Sequence, residues 1–412
     1  MKFETQAIHV GQAADPGTGA TIPPIYVSST YTQEAPGKHK GYEYSRTQNP
    51  TRDRLQAALA ALEGGAAAAS FASGMAATAA LLTPVLRPGD SLVAYGDMYG
   101  GTYRLMEQVF RRWGVDPRYV DEPGADAIAA RIDDTTRIVW IETPTNPMLR
   151  LLDIEAIAKA VRAIEASRKA DAPDYSVGAK MSLGRRILLA VDSTFATPAL
   201  QQPLALGADV VIHSTTKYLG GHSDVIGGAI VTRDAELMAP IRYYQNAAGG
   251  VSSPFDCFLT QRGIKTLGIR MRAHCENALR VARWAQESGG FERVIYPGLE
   301  DHPQHALARR QMRGAGGIVT VVLKGGFEGA SRFMSRLGVF ACAESLGGVE
   351  SLANHPAIMT HASVPRARRE QLGVVDGLVR LSVGIEHADD LIADLEQALQ
   401  SEPQRSRPGP AA

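Results

Sequence analysis

Lys217 lies in a setting that is unusual for a lysine. It follows the apolar run ADVVIHS (208–214) and is flanked by hydroxyl residues and then by two glycines, in STTKYLGG. Lysines usually face solvent, and a lone lysine would be interpreted in that way. Burial among apolar or cationic neighbours lowers the pKa of an amine and makes it nucleophilic, as Schiff-base formation requires. Ser214 and Thr216 add hydroxyl groups that suit a phosphate.

Two further apolar runs end in groups that can bind a ligand. After AAAASF (66–71), the segment Ser73-Gly74-Met75 opens a predicted helix, whose free N–H groups and dipole suit a phosphate. Small residues at that point also simply permit tight packing. After SLVAY (91–95), Tyr99 lies on a glycine-flanked turn, where its ring could stack on a flat ligand or merely fill a loop.

Two more runs end in an amide and in a carboxylate. RIVWIE (137–142) leads into TPTNP, where Asn146 could contact a ligand or only form an Asx-type turn. ILLAVD (187–192) ends in Asp192. A buried carboxylate needs a partner, either a salt bridge within the protein or the protonated ring nitrogen of a ligand.

The spacing of these runs predicts the elements that position the groups. Continuous apolar strands separated by helices are typical of a parallel sheet that is covered on both faces, and hence of an α/β fold. Ligands bind beyond the carboxyl ends of such strands. The five strand ends are therefore expected to converge on one site.

The character of the chain changes along its length, which predicts a division into domains. Residues 1–60 form an arm that lies on another surface, residues 61–255 the main ligand-binding domain, residues 256–398 a smaller C-terminal domain, and residues 399–412 a disordered tail. The polar, irregular segment 168–186 lies between a predicted helix and a predicted strand, which indicates a surface insertion. The predicted helices and strand outside the five runs are Arg52–Glu63, 256–288, 316–326 (strand) and 328–337.

Composition excludes several classes of protein. The 43 basic and 43 acidic residues cancel, which gives no reason to expect a nucleic acid or an anionic membrane as partner. Three widely spaced cysteines do not form a disulfide framework. Neither a signal peptide nor a membrane span is indicated, so a cytoplasmic location is expected. No metal-ligand spacing is present, and His213, His222 and His361 are expected to be structural.

Nine ordered motifs between about Thr5 and residue 398 carry a family resemblance. They are YSRTQNPTR, SGMAA, YGGTYR, ETPTNP, VDSTF, STTKYLGGHSD, AESLGGVESL, PAIMTHASVP and VRLSVGIE. Together they resemble the Cys/Met-metabolism (trans-sulfuration) family of pyridoxal-phosphate enzymes, most closely its cystathionine γ-lyase and γ-synthase branches. The resemblance implies fold type I, as in aspartate aminotransferase, with a large, mostly parallel-sheet domain and a smaller C-terminal α+β domain. Ser193 stands where many relatives have Asn.

The resemblance also implies roles for the residues of the site. Lys217 would hold pyridoxal 5'-phosphate as a Schiff base and shuttle protons, Asp192 would pair with the ring nitrogen, and Tyr99 would stack on the ring and assist at the leaving group. The other residues implied to bind the cofactor are Gly74, Met75, Thr194, Ser214 and Thr216, with Tyr44 and Arg46 from a neighbouring subunit. A shared site of this kind implies an obligate dimer, and the resemblance implies that two dimers form a homotetramer.

The implied substrate is an amino acid. Arg380 and Asn146 would bind its α-carboxylate, since a guanidinium group suits a carboxylate bidentately. Glu344, beside Ser345, would receive the distal ammonium of cystathionine, and Arg104 its distal carboxylate. Glu344 could instead only face water.

The expected reaction is γ-elimination of L-cystathionine to cysteine, 2-oxobutanoate and ammonia. The alternative is γ-replacement, in which cysteine displaces the acyl group of an O-acylhomoserine. Methionine γ-lyase and cystathionine β-lyase activities are expected less. A serine hydrolase is disfavoured because GHSDV (221–225) lacks the second glycine of a nucleophile elbow. A non-catalytic scaffold is disfavoured because both Lys217 and Asp192 are present.

Overall fold

The computed structural model describes residues 1–168 and 186–400. Apart from its two end residues, the predicted insertion at 168–186 lies outside the described residues. The predicted tail at 399–412 does so too, except for Leu399 and Gln400. Both therefore stay predictions.

A seven-stranded sheet forms the centre of the first half of the chain, in the order β1-β7-β6-β5-β4-β2-β3. All five predicted runs are strands of this sheet and point the same way, so their carboxyl ends meet at one edge. Only β7 runs in the direction opposite to the other strands of this sheet. The strands are β1 Ala67–Phe71, β2 Ser91–Tyr95, β3 Asp116–Val120, β4 Thr136–Glu142, β5 Leu188–Asp192, β6 Val210–Ser214 and β7 Gly228–Thr232.

Two strands of this sheet were not predicted, for different reasons. The edge strand β3, DPRYV, carries an exposed Asp116 and so lacks a continuous apolar run. The strand β7, GAIVT, is fully buried, but it begins at Gly228 directly after Gly227, and glycine is uncommon in strands.

Helices cover both faces of the large sheet. Alternate residues of β4 show this, because Ile138 and Trp140 pack into one hydrophobic cluster and Val139 and Ile141 into another on the opposite face. The helices of the described chain are α1 Phe3–His9, α2 Pro50–Glu63, α3 Gly74–Val85, α4 Gly100–Leu105, α5 Ala125–Ala129, α6 Ile154–Ser167, α7 Thr197–Leu200, α8 Ala235–Ala248, α9 Pro254–Ile264, α10 Leu267–Glu287, α11 His305–Gln311, α12 Gly326–Arg336, α13 Arg366–Leu372 and α14 Ala388–Leu399.

Helix α2 confirms the helix predicted at Arg52–Glu63. The Asn49 side chain caps its first N–H groups, and Gly64 ends it in the left-handed conformation. Leu55 and Leu59 of α2 are buried in the core of the large domain. The same cluster contains Ala7 of α1, so both ends of the predicted 1–60 arm contribute to this core.

The single helix predicted over 256–288 is wrong, because the segment forms two helices, α9 and α10. The break follows Gly263, which packs so closely against the carbonyl oxygen of Gly220 that a Cβ atom would clash with it. Cys257 and Ile264 of α9 share a hydrophobic cluster with α2. Helix α9 thus packs on the large domain, and the predicted boundary at residues 255 and 256 stays a prediction.

A second, five-stranded sheet occupies the C-terminal part, in the order β10-β11-β12-β9-β8. The strand predicted at 316–326 and the helix predicted at 328–337 are confirmed as β9 and α12. These observations establish the predicted fold, a large, mostly parallel sheet with a smaller second sheet. The strands are β8 Phe291–Ile295, β9 Ile318–Leu323, β10 Ala341–Cys342, β11 Leu352–Asn354 and β12 Leu378–Ser382.

Two kinds of feature are absent from the described part of the chain. None of the helices in residues 1–168 and 186–400 is both long and apolar enough to cross a bilayer. Within the same ranges, the His, Cys, Asp and Glu side chains form no group that could hold a metal ion. The cysteines Cys257, Cys275 and Cys342 are free thiols.

Candidate active site

A cavity of about 250 Å³ lies at the carboxyl ends of the parallel strands, where the second sheet closes over them. Twelve of the residues predicted for the site line this cavity. They are Gly74, Met75, Tyr99, Asn146, Asp192, Thr194, Ser214, Thr216, Lys217, Glu344, Ser345 and Arg380. A larger and more open cleft, of about 630 Å³, lies between α2 and α8 but contains no lysine among its lining residues. We therefore assign the chemistry to the smaller cavity.

Lys217 lies in the turn that follows β6, and its Nζ donates a hydrogen bond to Oγ of Ser345 at 2.8 Å. Burial, together with the nearby charge of Arg380, lowers the pKa of Lys217 to about 8. The turn is held by Arg270 of α10, whose Nη1 donates to the carbonyl of Tyr218 at 2.8 Å. The amine is thus fixed in place and is easier to deprotonate than an exposed lysine.

Asp192 ends β5 with its carboxylate at the cavity wall. Both the N–H and the hydroxyl of Thr194 donate to Oδ1 of Asp192, at 3.0 and 2.6 Å, and no donor among the described residues contacts Oδ2. Burial raises the pKa of Asp192, since the charged form is poorly solvated there. A cation opposite Oδ2 would restore the charged form. The side chain of Ser193, by contrast, does not line the cavity and accepts a hydrogen bond from Gln201. The serine that replaces the asparagine of many relatives therefore does not alter the cavity wall.

The start of α3 provides a site for an anion. Ser73 caps the N–H of Ala76, and the N–H groups of Gly74 and Met75 come before the first turn closes. A Cβ atom on Gly74 would lie only 3.0 Å from Cβ of Ser214, so this helix start and the end of β6 approach each other closely. Backbone donors and the hydroxyl of Ser214 therefore lie together at one end of the cavity.

Arg380 of β12 lies at the other end and is 1% exposed. Its Nη1 donates to Oδ1 of Asn146 at 2.9 Å, and its Nη2 to the carbonyl of Ser345 at 2.7 Å. Its Nε is buried without a hydrogen-bond partner. Ser345 has a backbone φ of 85°, a strained conformation for a residue with a side chain, and it contacts both Lys217 and Arg380.

Tyr99 and Glu344 line the more open part of the cavity. The ring of Tyr99 packs directly against Gly101, where a Cβ atom would clash with the ring and would lie 3.1 Å from the sulfur of Met75. Glu344 is exposed, but its charge acts on both Lys217 and Arg380. An acidic group thus lies at the mouth of the cavity and a basic group on its floor.

Three predicted residues do not line the cavity of this chain. Arg104 is exposed on α4. Tyr44 and Arg46 lie in the arm, where the guanidinium carbon of Arg46 is 5.7 Å from the centre of the Tyr44 ring and its Nε donates to Asn246. Their predicted roles are untested in a single chain and stay predictions.

The three histidines have protein partners. His213 contacts Glu63 at 2.5 Å in the core of the large domain, and His222 contacts the carbonyl of Gly220. Nε2 of His361 lies 3.2 Å from the carbonyl oxygen of Met98 and 3.1 Å from that of Asn146, beside the cavity.

Sequence analysis missed two charged residues that support the site. Glu142 lines the cavity at the end of β4, beside Asp192 of β5, and burial and the charge of Asp192 raise its pKa. Arg270 lies in the first turn of α10. The position of Glu142 at a strand end, like that of Asp192, was a usable signal, whereas Arg270 looks like any helical arginine.

The described residues fit pyridoxal 5'-phosphate. The helix start at Gly74 and the hydroxyl of Ser214 suit its phosphate, Oδ2 of Asp192 suits its ring nitrogen, and the low-pKa amine of Lys217 suits its aldehyde. The unpaired Nε of Arg380 suits the carboxylate of an amino acid.

Comparisons with known proteins agree with this fit. The family model described as Cys/Met metabolism PLP-dependent enzyme matches residues 4–400. The chain is 52% identical to a cystathionine gamma-synthase of Mycobacterium tuberculosis, with 96% of each chain covered. It is 47% identical to a cystathionine beta-lyase of Coxiella burnetii, over 96% of this chain and 97% of the relative. It is also 47% identical to a cystathionine gamma-lyase of Bos taurus, over 97% of this chain and 94% of the relative.

Solved structures give the same result. The cystathionine gamma-synthase of Xanthomonas oryzae pv. oryzae in complex with cystathionine superposes with a TM-score of 0.89 at 42% identity, over 97% of this chain and 98% of that chain. The relatives differ in their named activities but share one family. The chain therefore belongs to the Cys/Met-metabolism family of pyridoxal-phosphate-dependent enzymes.

Proposed function

We propose that this enzyme catalyses γ-elimination of L-cystathionine, with hydrolysis by one water molecule, giving cysteine, 2-oxobutanoate and ammonia. The observation that supports this best is the arrangement of opposite charges along the cavity, with Arg380 on the floor and Glu344 at the mouth. Cystathionine is an amino acid whose far end carries a second ammonium group. Its α-carboxylate suits Arg380 and its distal ammonium suits Glu344.

In this proposal each residue has a defined task. Bound pyridoxal phosphate supplies an electron sink for charge that develops on the substrate. Arg380 and Asn146 bind the α-carboxylate and so orient the Cα–H bond toward Lys217. Nζ of Lys217 removes the protons from Cα and then Cβ, and Ser345 holds that amine between the two steps. Tyr99 assists the departing sulfur.

A second candidate is γ-replacement, in which cysteine attacks Cγ of an O-acylhomoserine. It is favoured by the higher identity to a cystathionine gamma-synthase, 52% against 47% for the gamma-lyase. The two reactions share their proton transfers at Cα and Cβ. They also share cystathionine, which is the substrate of one and the product of the other.

Chemistry at Cγ can be tested without a leaving group. L-Norvaline has none, and we expect the holoenzyme in D₂O to exchange hydrogen for deuterium at both Cα and Cβ, as followed by NMR. An enzyme that eliminates a group from Cβ removes a proton only from Cα. Exchange confined to Cα would therefore contradict both candidates, which each require removal of a proton from Cβ. The Lys217→Ala variant is the control and should exchange at neither carbon.

We also infer that the active site is completed by a second subunit, and that the enzyme is a cytoplasmic homotetramer. Tyr44 is 47% exposed and, with Arg46, lies in an arm outside its own cavity. An aromatic ring and a guanidinium group that are exposed together suit the phosphate of a neighbouring site.

A further inference from the structure

Glu142 joins two parts of the site through a single carboxylate. Its Oε2 accepts the N–H of Tyr99 at 2.9 Å, and its Oε1 accepts the N–H of Asn146 at 2.8 Å. The side chain is 4% exposed, and it projects from the end of β4. A carboxylate is the side-chain group that can accept both bonds without presenting a donor to either N–H.

His361, in the C-terminal part of the chain, makes hydrogen bonds to the same two segments, those of Tyr99 and Asn146. Its Nε2 lies 3.2 Å from the carbonyl oxygen of Met98 and 3.1 Å from that of Asn146. Both partners can only accept, so Nε2 carries the proton, and Nδ1 accepts from the hydroxyl of Thr360 at 2.9 Å. Burial lowers the pKa of His361 to about 4, so the ring is neutral at physiological pH.

Glu142 and His361 bond to opposite sides of the same stretch of backbone. The carbonyl of Met98 and the N–H of Tyr99 belong to one peptide group, which is held by His361 on one side and by Glu142 on the other. At Asn146 the two residues bond to adjacent peptide groups, Glu142 to the one before Asn146 and His361 to the one after it. Asn146 in turn accepts from Arg380 at 2.9 Å.

We propose that Glu142 and His361 are positioning residues that together fix the distance between Tyr99 and the Asn146–Arg380 pair. The inference rests on the proposed roles of these groups, with Tyr99 at the ring and the departing sulfur and Arg380 at the α-carboxylate. Glu142 and His361 come from segments associated with different sheets. Together they therefore keep Tyr99 and Arg380 at the separation that the two ends of a bound substrate require.

The test compares Glu142→Gln with Glu63→Gln. A glutamine at position 142 keeps one acceptor but turns an NH₂ group toward the other N–H, so either the Tyr99 or the Asn146 bond is lost. Glu63 is the matched control, since it is equally buried, bonds to His213, and lies outside the cavity. His361→Phe removes the hydrogen bonds to the carbonyls of Met98 and Asn146 while keeping an aromatic ring at that position.

Two readouts, the cofactor dichroism and the Kd of L-alanine, are expected to change together. In Glu142→Gln and His361→Phe holoenzymes, the visible circular dichroism of the bound cofactor should change, because Tyr99 shifts against the ring. The Kd of L-alanine should rise about tenfold, as the loss of one hydrogen bond in a charged site implies. The double variant should lose less than the product of the two single effects, because both residues bond to the Met98–Tyr99 peptide group and to Asn146.

The outcome that overturns the proposal is also defined. Glu63→Gln is expected to lower only the thermal stability. If Glu142→Gln does the same and leaves the dichroism and the L-alanine Kd unchanged, Glu142 is merely structural. If Glu142→Gln does not fold, His361→Phe decides by the same two measurements. Neither measurement needs turnover of cystathionine, so a wrong substrate assignment would not be mistaken for a failed proposal.

Discussion

Nζ of Lys217 lies 2.8 Å from Oγ of Ser345, and this bond joins the ends of the two sheets at the centre of the cavity. Lys217 follows β6 of the large sheet, whereas Ser345 follows β10 of the small one. The carbonyl of Ser345 also accepts from Arg380. A single strained serine therefore connects the proposed proton-transfer group to the proposed carboxylate-binding group.

The first prediction concerns the pH dependence of cofactor capture. Only the neutral amine attacks an aldehyde, and burial lowers the pKa of Lys217 from 10.5 to about 8. The rate at which apoprotein captures pyridoxal phosphate should therefore rise with pH and reach half its maximum near pH 8. Stopped-flow absorbance measures this rate. A midpoint near that of an exposed lysine would show that burial does not activate the amine, and Lys217→Ala should capture no cofactor covalently.

The second prediction concerns Arg380→Lys. A lysine cannot contact Asn146, Ser345 and a carboxylate with one planar group, so charged hydrogen bonds worth about 1.5–3 kcal/mol are lost. KM for L-cystathionine should rise roughly ten- to hundredfold. Arg332→Lys, at an exposed position of α12, is the control. A normal KM in Arg380→Lys would place the carboxylate elsewhere.

Half of the site followed directly from the sequence, for a physical reason. Strand ends are visible as apolar runs that stop in polar residues, and in a parallel sheet these ends meet, so the runs alone were enough to place Asp192 and Lys217 together. Ser345 and Arg380 were assigned by resemblance alone. No periodicity shows that β12 and the segment after β10 close over the large sheet.

The helix break that was misassigned and the Arg270 contact that was missed have the same cause, which is tertiary contact. The break between α9 and α10 arises where Gly263 meets Gly220, about forty residues away in the chain. Arg270 supports the site through its contact with the distant Tyr218, so its own neighbours in sequence do not mark it as a supporting residue. Glu142, by contrast, ends a strand beside Asp192 and could have been recognised from that position. Local sequence predicts elements well, but it does not predict which charged groups those elements bury.

The third prediction concerns Glu344→Gln. If Glu344 receives the distal ammonium of cystathionine, KM for that substrate should rise by about threefold to tenfold, a modest effect because the carboxylate is exposed. L-Homocysteine has no distal ammonium, and its KM should not change. An equal effect on both substrates would mean that Glu344 acts through Lys217 instead.

The fourth prediction tests the shared site by mixing two inactive variants. Lys217→Ala lacks the amine, and Arg46→Ala lacks the proposed contribution to the neighbouring site. In a hybrid dimer one of the two sites has both groups, so random co-assembly should restore about a quarter of the wild-type activity. Mixing Lys217→Ala with Arg380→Ala is the control and should restore none, since both residues line the same cavity. Failure of the first pair to complement would place Arg46 outside the site.

The measurement that tests the account most directly is product analysis of purified holoenzyme incubated with L-cystathionine. The account predicts equal amounts of cysteine and 2-oxobutanoate, with no product from Lys217→Ala. Homocysteine and pyruvate would contradict it and show elimination from Cβ. No turnover of L-cystathionine, together with its synthesis from an O-acylhomoserine and cysteine, would contradict γ-elimination and assign γ-replacement.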